Sequence, residues 1–163
     1  MTATQTVAAD DPRRIEEPDQ ADYITMTVAG QLFGLPVLSV HDVLGPQRIT
    51  RIPLASPEVA GSLNLRGRIV TAIDLRRRLG LPMREDGAKS MSVVVDRDGE
   101  LYSLMIDSVG EVLTLHSERI EVNPPTMDSE WRDVSNGICR LDDQLLILLD
   151  ISRILELRQS RGV

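Results

Sequence analysis

The sequence predicts a mainly β fold made of two similar small units, barrels or sandwiches, with a few short helices. Three features point there. Apolar and polar residues alternate over short runs, the period of a strand with one buried face. Turn residues separate those runs at short intervals. The chain also resembles itself, with two strand motifs of the first half returning in the same order in the second.

The opening stretch, 1–21, holds Asp10, Asp11, Glu16, Glu17 and Asp19 together with Pro12 and Pro18. Having little hydrophobic period, it is expected to be a disordered tail. Order is expected from Asp22. Ile24, Met26 and Val28 alternate with Thr25 and Thr27 as a half-buried strand, Ala29-Gly30-Gln31 turns the chain, and Leu32 to Leu35 begins the return. Pro36 then interrupts the ladder because it has no N–H to donate. Further on, Val93, Val94 and Val95 run into Arg97-Asp98-Gly99, and Leu101 to Ile106 follows. Asp-Gly between apolar runs signals a hairpin, since glycine accepts the positive φ of the turn. Asp74 can cap a helix over Leu75 to Leu79, closed by Gly80 and Pro82. Asp150 can cap another over 151–158, with Ile151, Ile154 and Leu155 on its apolar face and the Arg158 stem lying along it.

The repeat pairs Ser39-Val40-His41-Asp42-Val43-Leu44 with Ser108-Val109-Gly110-Glu111-Val112-Leu113. It also pairs Arg68-Ile69-Val70-Thr71-Ala72-Ile73-Asp74 with Gln144-Leu145-Leu146-Ile147-Leu148-Leu149-Asp150. Gly61 and Gly137 stand at matching distances before the second pair. The second half carries about seven extra residues, placed between Leu115 and Trp131, where Asn123-Pro124-Pro125 marks a loop. The division this suggests is a first unit mainly over 22–82, a second mainly over 90–150, and a C-terminal helix over 151–158, all within one domain spanning 22–160. Two such units side by side would leave a groove suited to a peptide or helix.

Composition narrows the function. With 25 Asp and Glu against 18 Lys and Arg, the net charge is -7. That balance disfavours nucleic acid, whose phosphates require cations, and an anionic membrane surface. No apolar stretch reaches the ~20 residues of a membrane span, and no signal-peptide pattern opens the chain. Cys139 is the single cysteine, which excludes an internal disulfide and a multi-cysteine metal site. A cytoplasmic protein is expected, without nucleic acid and without direct membrane insertion. Aromatic residues make up 2% of the chain, so Val, Ile, Leu and Met must fill the core.

Candidate chemistry is sparse. His41 and His116 lack partners at metal-ligand spacing. Cys139 has no marked base and sits in an apolar strand. Asp96-Arg97-Asp98-Gly99 resembles the start of a calcium loop, but Leu101 takes the position that needs glycine and Asp107 the one that needs glutamate. No phosphate-cradling glycine loop appears. Hence neither enzyme activity nor a cofactor is expected. The basic cluster Arg66, Arg68, Arg76, Arg77 and Arg78 reads as a solvated helix face plus a salt-bridging arginine. Asn64-Leu65-Arg66-Gly67 suits a tight, irregular bend that could hold a guanidinium toward a carboxylate, Asp42 being the candidate, or could equally be a plain surface turn.

At these residues a family resemblance enters. Ile49-Thr50-Arg51-Ile52-Pro53, then Pro57-Glu58-Val59-Ala60-Gly61-Ser62-Leu63-Asn64-Leu65-Arg66-Gly67-Arg68-Ile69-Val70 and Ile73-Asp74-Leu75-Arg76 resemble the CheW family of chemotaxis coupling proteins. Ile106-Asp107-Ser108-Val109-Gly110-Glu111-Val112-Leu113 and Leu145-Leu146-Ile147-Leu148-Leu149-Asp150-Ile151 are similar to the same family. The resemblance spans roughly residues 22 to 158. It implies two five-stranded SH3-like β-barrels and an adaptor without catalytic residues or cofactor. It also implies two partners: the cytoplasmic tips of methyl-accepting chemoreceptors and the regulatory domain of a CheA-type histidine kinase, with recruitment to membrane-associated receptor arrays. The implied partner-binding residues are Val40, Asp42, Gly61, Asn64, Leu65, Arg66 and Gly67, with Met91, Val109 and Val112 near a receptor-facing groove.

The chain departs from the family in places. Asp42 stands where glutamate is usual and is one methylene shorter, so its ion pair with Arg66 is not assured from length alone. Thr71-Ala72 replaces a common proline-plus-aliphatic pair, and Ser103 stands where glycine is frequent. Other readings are an adaptor of a pilus or other non-motility receptor–kinase pathway, and a small-molecule-binding regulatory domain using the groove between the units.

Overall fold

The computed structural model describes residues 19–83 and 90–156. The elements are β1 (Gln20–Val28), β2 (Gln31–Pro36), β3 (Val40–Leu44), β4 (Val59–Leu65), β5 (Arg68–Asp74), α1 (Leu75–Arg78), β6 (Met91–Arg97), β7 (Glu100–Ile106), β8 (Ser108–His116), β9 (Ile120–Glu121), α2 (Ser129–Val134), β10 (Ser135–Arg140), β11 (Leu145–Leu149) and α3 (Ile151–Ile154). The strands form a six-stranded sheet, β8-β1-β2-β11-β10-β9, and a five-stranded sheet, β3-β6-β7-β5-β4. Three hairpins close with two-residue turns in which both residues have positive φ: Ala29-Gly30, Arg66-Gly67 and Asp98-Gly99. That backbone matches the right-handed twist of the flanking strands. In the last of these the Gly99 N–H donates to Asp96 Oδ1 at 3.0 Å, which gives the Asp96–Gly99 motif a turn-forming role.

Each sheet curls around its own core. Leu44 of β3 and Leu63 and Leu65 of β4, the two edges of the five-stranded sheet, pack into one cluster with Val70, Ala72, Val94 and Leu101. In the six-stranded sheet Leu113 and Leu115 of β8 meet Ile120 of β9, with Cys139, Leu146 and Leu148. The largest core lies between the sheets and joins Met26, Phe33 and Ile147 from one to Ile73, Val93, Val95, Leu104 and Ile106 from the other. This explains the unbroken apolar runs. Val93 and Val95 face the inter-sheet core while Val94 faces the barrel interior, and Ile147 and Leu149 alternate in the same way with Leu146 and Leu148. A strand buried on both faces has no polar side to show. Beside this core a concavity of about 370 Å³ opens between Gln31, Leu145 and Ile147 of one sheet and Leu79, Gly80 and Leu81, which follow α1 of the other.

The two sheets are the same object built twice. The order β3-β6-β7-β5-β4 corresponds to β8-β1-β2-β11-β10, with antiparallel pairs in the same places and one parallel pair each, β5–β7 and β11–β2. The isolated Thr50–Ser62 bridge takes the place of β9. The expected sequential division at 22–82 and 90–150 does not coincide with these sheets. β1 and β2 pair with strands of the second half, and β6 and β7 with strands of the first. The exchange runs through the parallel pairs β2–β11 and β5–β7, which need crossovers, and through the long-range antiparallel pairs β1–β8 and β3–β6. Other corrections are local. Gln20 and Ala21, expected in the tail, belong to β1, and residues 1–18 lie outside the described residues. The C-terminal helix is a single turn ending at Ile154, and Arg158 lies outside the described residues. The extra residues of the second half form a loop and the unanticipated α2, whose Trp131 donates to the Leu79 carbonyl at 2.8 Å and packs edge-on against Phe33.

The basic cluster is mostly structural. Arg76 reaches Asp107 through Nη2–Oδ2 at 2.7 Å and donates to the Pro82 carbonyl, while Asp107 Oδ2 also accepts from the Ala29 N–H. One ion pair thus ties α1 to the β1–β2 turn across the two sheets. Arg78 donates to the carbonyls of Arg153 and Ile154 at the end of α3, and Arg68 to that of Gly99. In a cluster expected to be a solvated helix face plus a salt-bridging arginine, Arg76 is ion-paired and only 14% exposed. Arg76→Ala is expected to cost about 2 kcal/mol, because a mostly buried guanidinium loses its links to Asp107 and to the Pro82 carbonyl. Urea unfolding of the variant measures this.

Ser103 is fully buried, pairing with Val94 and Ala72, and its Oγ has no hydrogen-bond partner among the described residues. Ser103→Ala removes a desolvated hydroxyl without changing the backbone. It is expected to raise stability by about 1 kcal/mol, read from the same urea transition.

Candidate functional interface

The β4–β5 turn is a rigid projection. Arg66 (φ 51) and Gly67 (φ 87) occupy its two central positions, and the Gly67 N–H donates to Asn64 Oδ1 at 2.9 Å. The bend expected to be irregular is therefore a regular two-residue hairpin turn. Leu65 points the other way, into the core of the five-stranded barrel. The Arg66 side chain is 72% exposed, and its Nη1 lies 3.2 Å from Asp42 Oδ2. Asp42 sits at a register shift of β3 between Val40 and Asp42, and its Oδ1 accepts from the Val43 N–H at 2.8 Å. The question left open by length is answered here: aspartate reaches the guanidinium. Arg66 keeps donors free toward solvent while one face is held.

Gly61 lies five residues along β4, roughly 16 Å from Arg66 at strand spacing. It sits at a bulge with φ 150, where Thr50 and Ser62 exchange both backbone hydrogen bonds at 2.8 Å. A Cβ there would fall 2.1 Å from the Thr50 carbonyl oxygen. Gly137 holds the equivalent bulge of β10 against Glu121. Val40, Met91 and Val109 are half-buried against the inter-sheet core, and Val112 on the edge strand β8 is 54% exposed. The structure thus joins Asp42, Asn64, Arg66 and Gly67 at one tip. It places Val40, Met91 and Val109 around one core, and gives Gly61 and Leu65 packing roles. What sequence reasoning missed is the Arg76–Asp107 clamp, whose partners are 31 residues apart with no spacing rule to connect them. Among the described residues no three His, Cys, Asp or Glu side chains gather as a metal would require, and no helix is long and apolar enough to cross a membrane.

Twin curled sheets sharing a core, one of them carrying the braced Arg66 turn, define a two-barrel β fold. The family profile of the CheW-like domain matches residues 22–159, and this chain belongs to that family. It is 31% identical to the chemotaxis protein CheW of Bacillus subtilis, covering 85% of this chain and 89% of that one. It is 27% identical to the chemotaxis protein CheW of Klebsiella aerogenes, with 82% and 81% covered. The crystal structure of the scaffolding protein TtCheW from Thermoanaerobacter tengcongensis superimposes with a TM-score of 0.74 at 31% identity, covering 83% of this chain and 92% of that one.

Proposed function

We propose that this chain is a non-enzymatic adaptor that couples transmembrane chemoreceptors to a CheA-type histidine kinase in chemotaxis signalling. Family membership supports this, and one observation carries it at the level of residues. The Arg66 guanidinium is held at an exposed turn by Asp42 with donors left over, an arrangement suited to binding and without a reacting partner. In this reading Asp42, Asn64, Arg66 and Gly67 meet a partner directly. Val40, Met91, Val109 and Val112 supply the apolar part of the receptor-facing surface, while Gly61 and Leu65 set the shape of the hairpin. The adaptor acts in the cytoplasm, recruited to receptor arrays. Coupling is thermodynamic: receptor state biases kinase state through differential affinity, with no chemistry on the adaptor itself.

The test is reconstitution. Purified kinase and receptor cytoplasmic fragments are mixed with and without this protein, and autophosphorylation is measured. Stimulation that requires all three components supports the proposal. A folded adaptor with no effect on its cognate kinase overturns it.

A further inference from the structure

The loop between β3 and β4 carries a feature that neither the fold nor the Arg66 tip uses. Leu54 is 97% exposed and has φ 63, a left-handed backbone that a bulky side chain rarely adopts. Exposing a leucine and straining its backbone together works against folding, so a use outside the folded chain is the physical explanation to test. Leu54 stands on a concavity of about 600 Å³ together with exposed Ile52 and Met83, and with Arg51, Val59 and Arg77. Neither Arg51 nor Arg77 has an ion-pair partner among the described residues, unlike Arg66, Arg76, Arg140 and Arg153. Asp74, which also borders the concavity, is engaged in capping α1 through the Arg76 N–H. The patch sits at the Val59–Asp74 end of the β4–β5 hairpin, roughly 20 Å along the strand from Arg66.

We propose that this loop is a docking surface for an acidic, leucine-bearing segment of a partner protein. Two guanidiniums without ion-pair partners among the described residues, flanking an aliphatic hollow, complement carboxylates flanking an aliphatic side chain. A concave spot with two guanidiniums against the one helix-capping Asp74 carboxylate, on a chain of net charge -7, fits such a segment better than it fits a flat anionic bilayer or a nucleic acid. The surface stands apart from the Arg66 tip and does not depend on the adaptor reading, and its test measures binding rather than coupling.

The probe is a dye-labelled peptide of alternating glutamate and leucine, titrated with the full chain and followed by fluorescence anisotropy. Saturable binding is expected, weakened about tenfold or more by Arg51→Glu combined with Arg77→Glu. Leu54→Asn places a residue that tolerates positive φ at the same position. It should weaken peptide binding without lowering the thermal midpoint, which separates docking from folding. A lysine–leucine peptide and vesicles of phosphatidylcholine with phosphatidylglycerol should not bind. The proposal fails if the wild-type chain shows no saturable binding, or if the variants bind as well as wild type. It fails equally if the lysine peptide or the vesicles bind as tightly as the acidic peptide.

Discussion

Gly61→Ala is expected to be the most damaging single-methyl change in the chain, costing about 3 kcal/mol or more. Two effects add there. The new Cβ would lie 2.1 Å from the Thr50 carbonyl oxygen and 2.7 Å from its carbon, both backbone atoms that cannot swing aside. The φ of 150 also lies in a region that residues with a Cβ avoid. Relief would require breaking the paired Thr50–Ser62 hydrogen bonds that tie the β3–β4 loop to β4. For a chain of this size the thermal midpoint should fall by roughly 10 °C. Gly137→Ala repeats the experiment in the second barrel with a milder clash, 2.7 Å from the Glu121 carbonyl oxygen, and should cost less. Calorimetry of both variants gives the ranking. A Gly61→Ala protein that melts like wild type but no longer couples would overturn this assignment and return Gly61 to the partner surface.

How much of this could be read from residue order depends on the range of the interaction. Hairpins were legible because their signals are local: Asp98-Gly99 and Ala29-Gly30 state their turn chemistry in two residues. The repeat was legible because Asp74 and Asp150 each cap a short helix after an apolar strand, and both carboxylates do accept the expected backbone N–H. Barrel membership was not legible. Nothing in Leu32-Phe33-Gly34 says that its neighbour is Leu146-Ile147-Leu148, and the exchange of hairpins between the halves rests on such long-range pairs, parallel here and antiparallel for β1–β8 and β3–β6. The helix α2 hid behind Asn123-Pro124-Pro125, although Asp128 caps it by accepting from the Glu130 N–H. That Arg76 pairs with Asp107 was not legible, because the two are 31 residues apart with no spacing rule to connect them. At the candidate interface the turn residues Asn64 and Gly67 were legible, while the Asp42–Arg66 pair depended on how closely two strand ends approach.

That pair gives the prediction with the largest functional effect. Arg66→Ala should leave the fold nearly untouched and reduce coupling strongly. With Arg66 72% and Asp42 27% exposed, the bridge is a surface ion pair, contributing about 0.5 kcal/mol, which shifts the thermal midpoint by only about 2 °C. Its value would lie in orientation, because a guanidinium braced on one side presents its remaining donors in a fixed direction. Losing it should lower kinase stimulation in the three-component assay about tenfold, the size of effect expected when a well-placed interfacial arginine is truncated. The double exchange, Asp42→Arg with Arg66→Asp, separates bracing from contact. If only the ion pair matters, the exchange restores part of the stimulation lost in the single variants. If Arg66 itself meets the partner, the exchange stays inactive although the bridge can re-form. Unchanged stimulation in Arg66→Ala would remove this tip from the interface and shift the binding role to the apolar residues around Val109 and Val112. A collapsed thermal transition in that variant would instead make Arg66 a structural residue, contrary to its exposure.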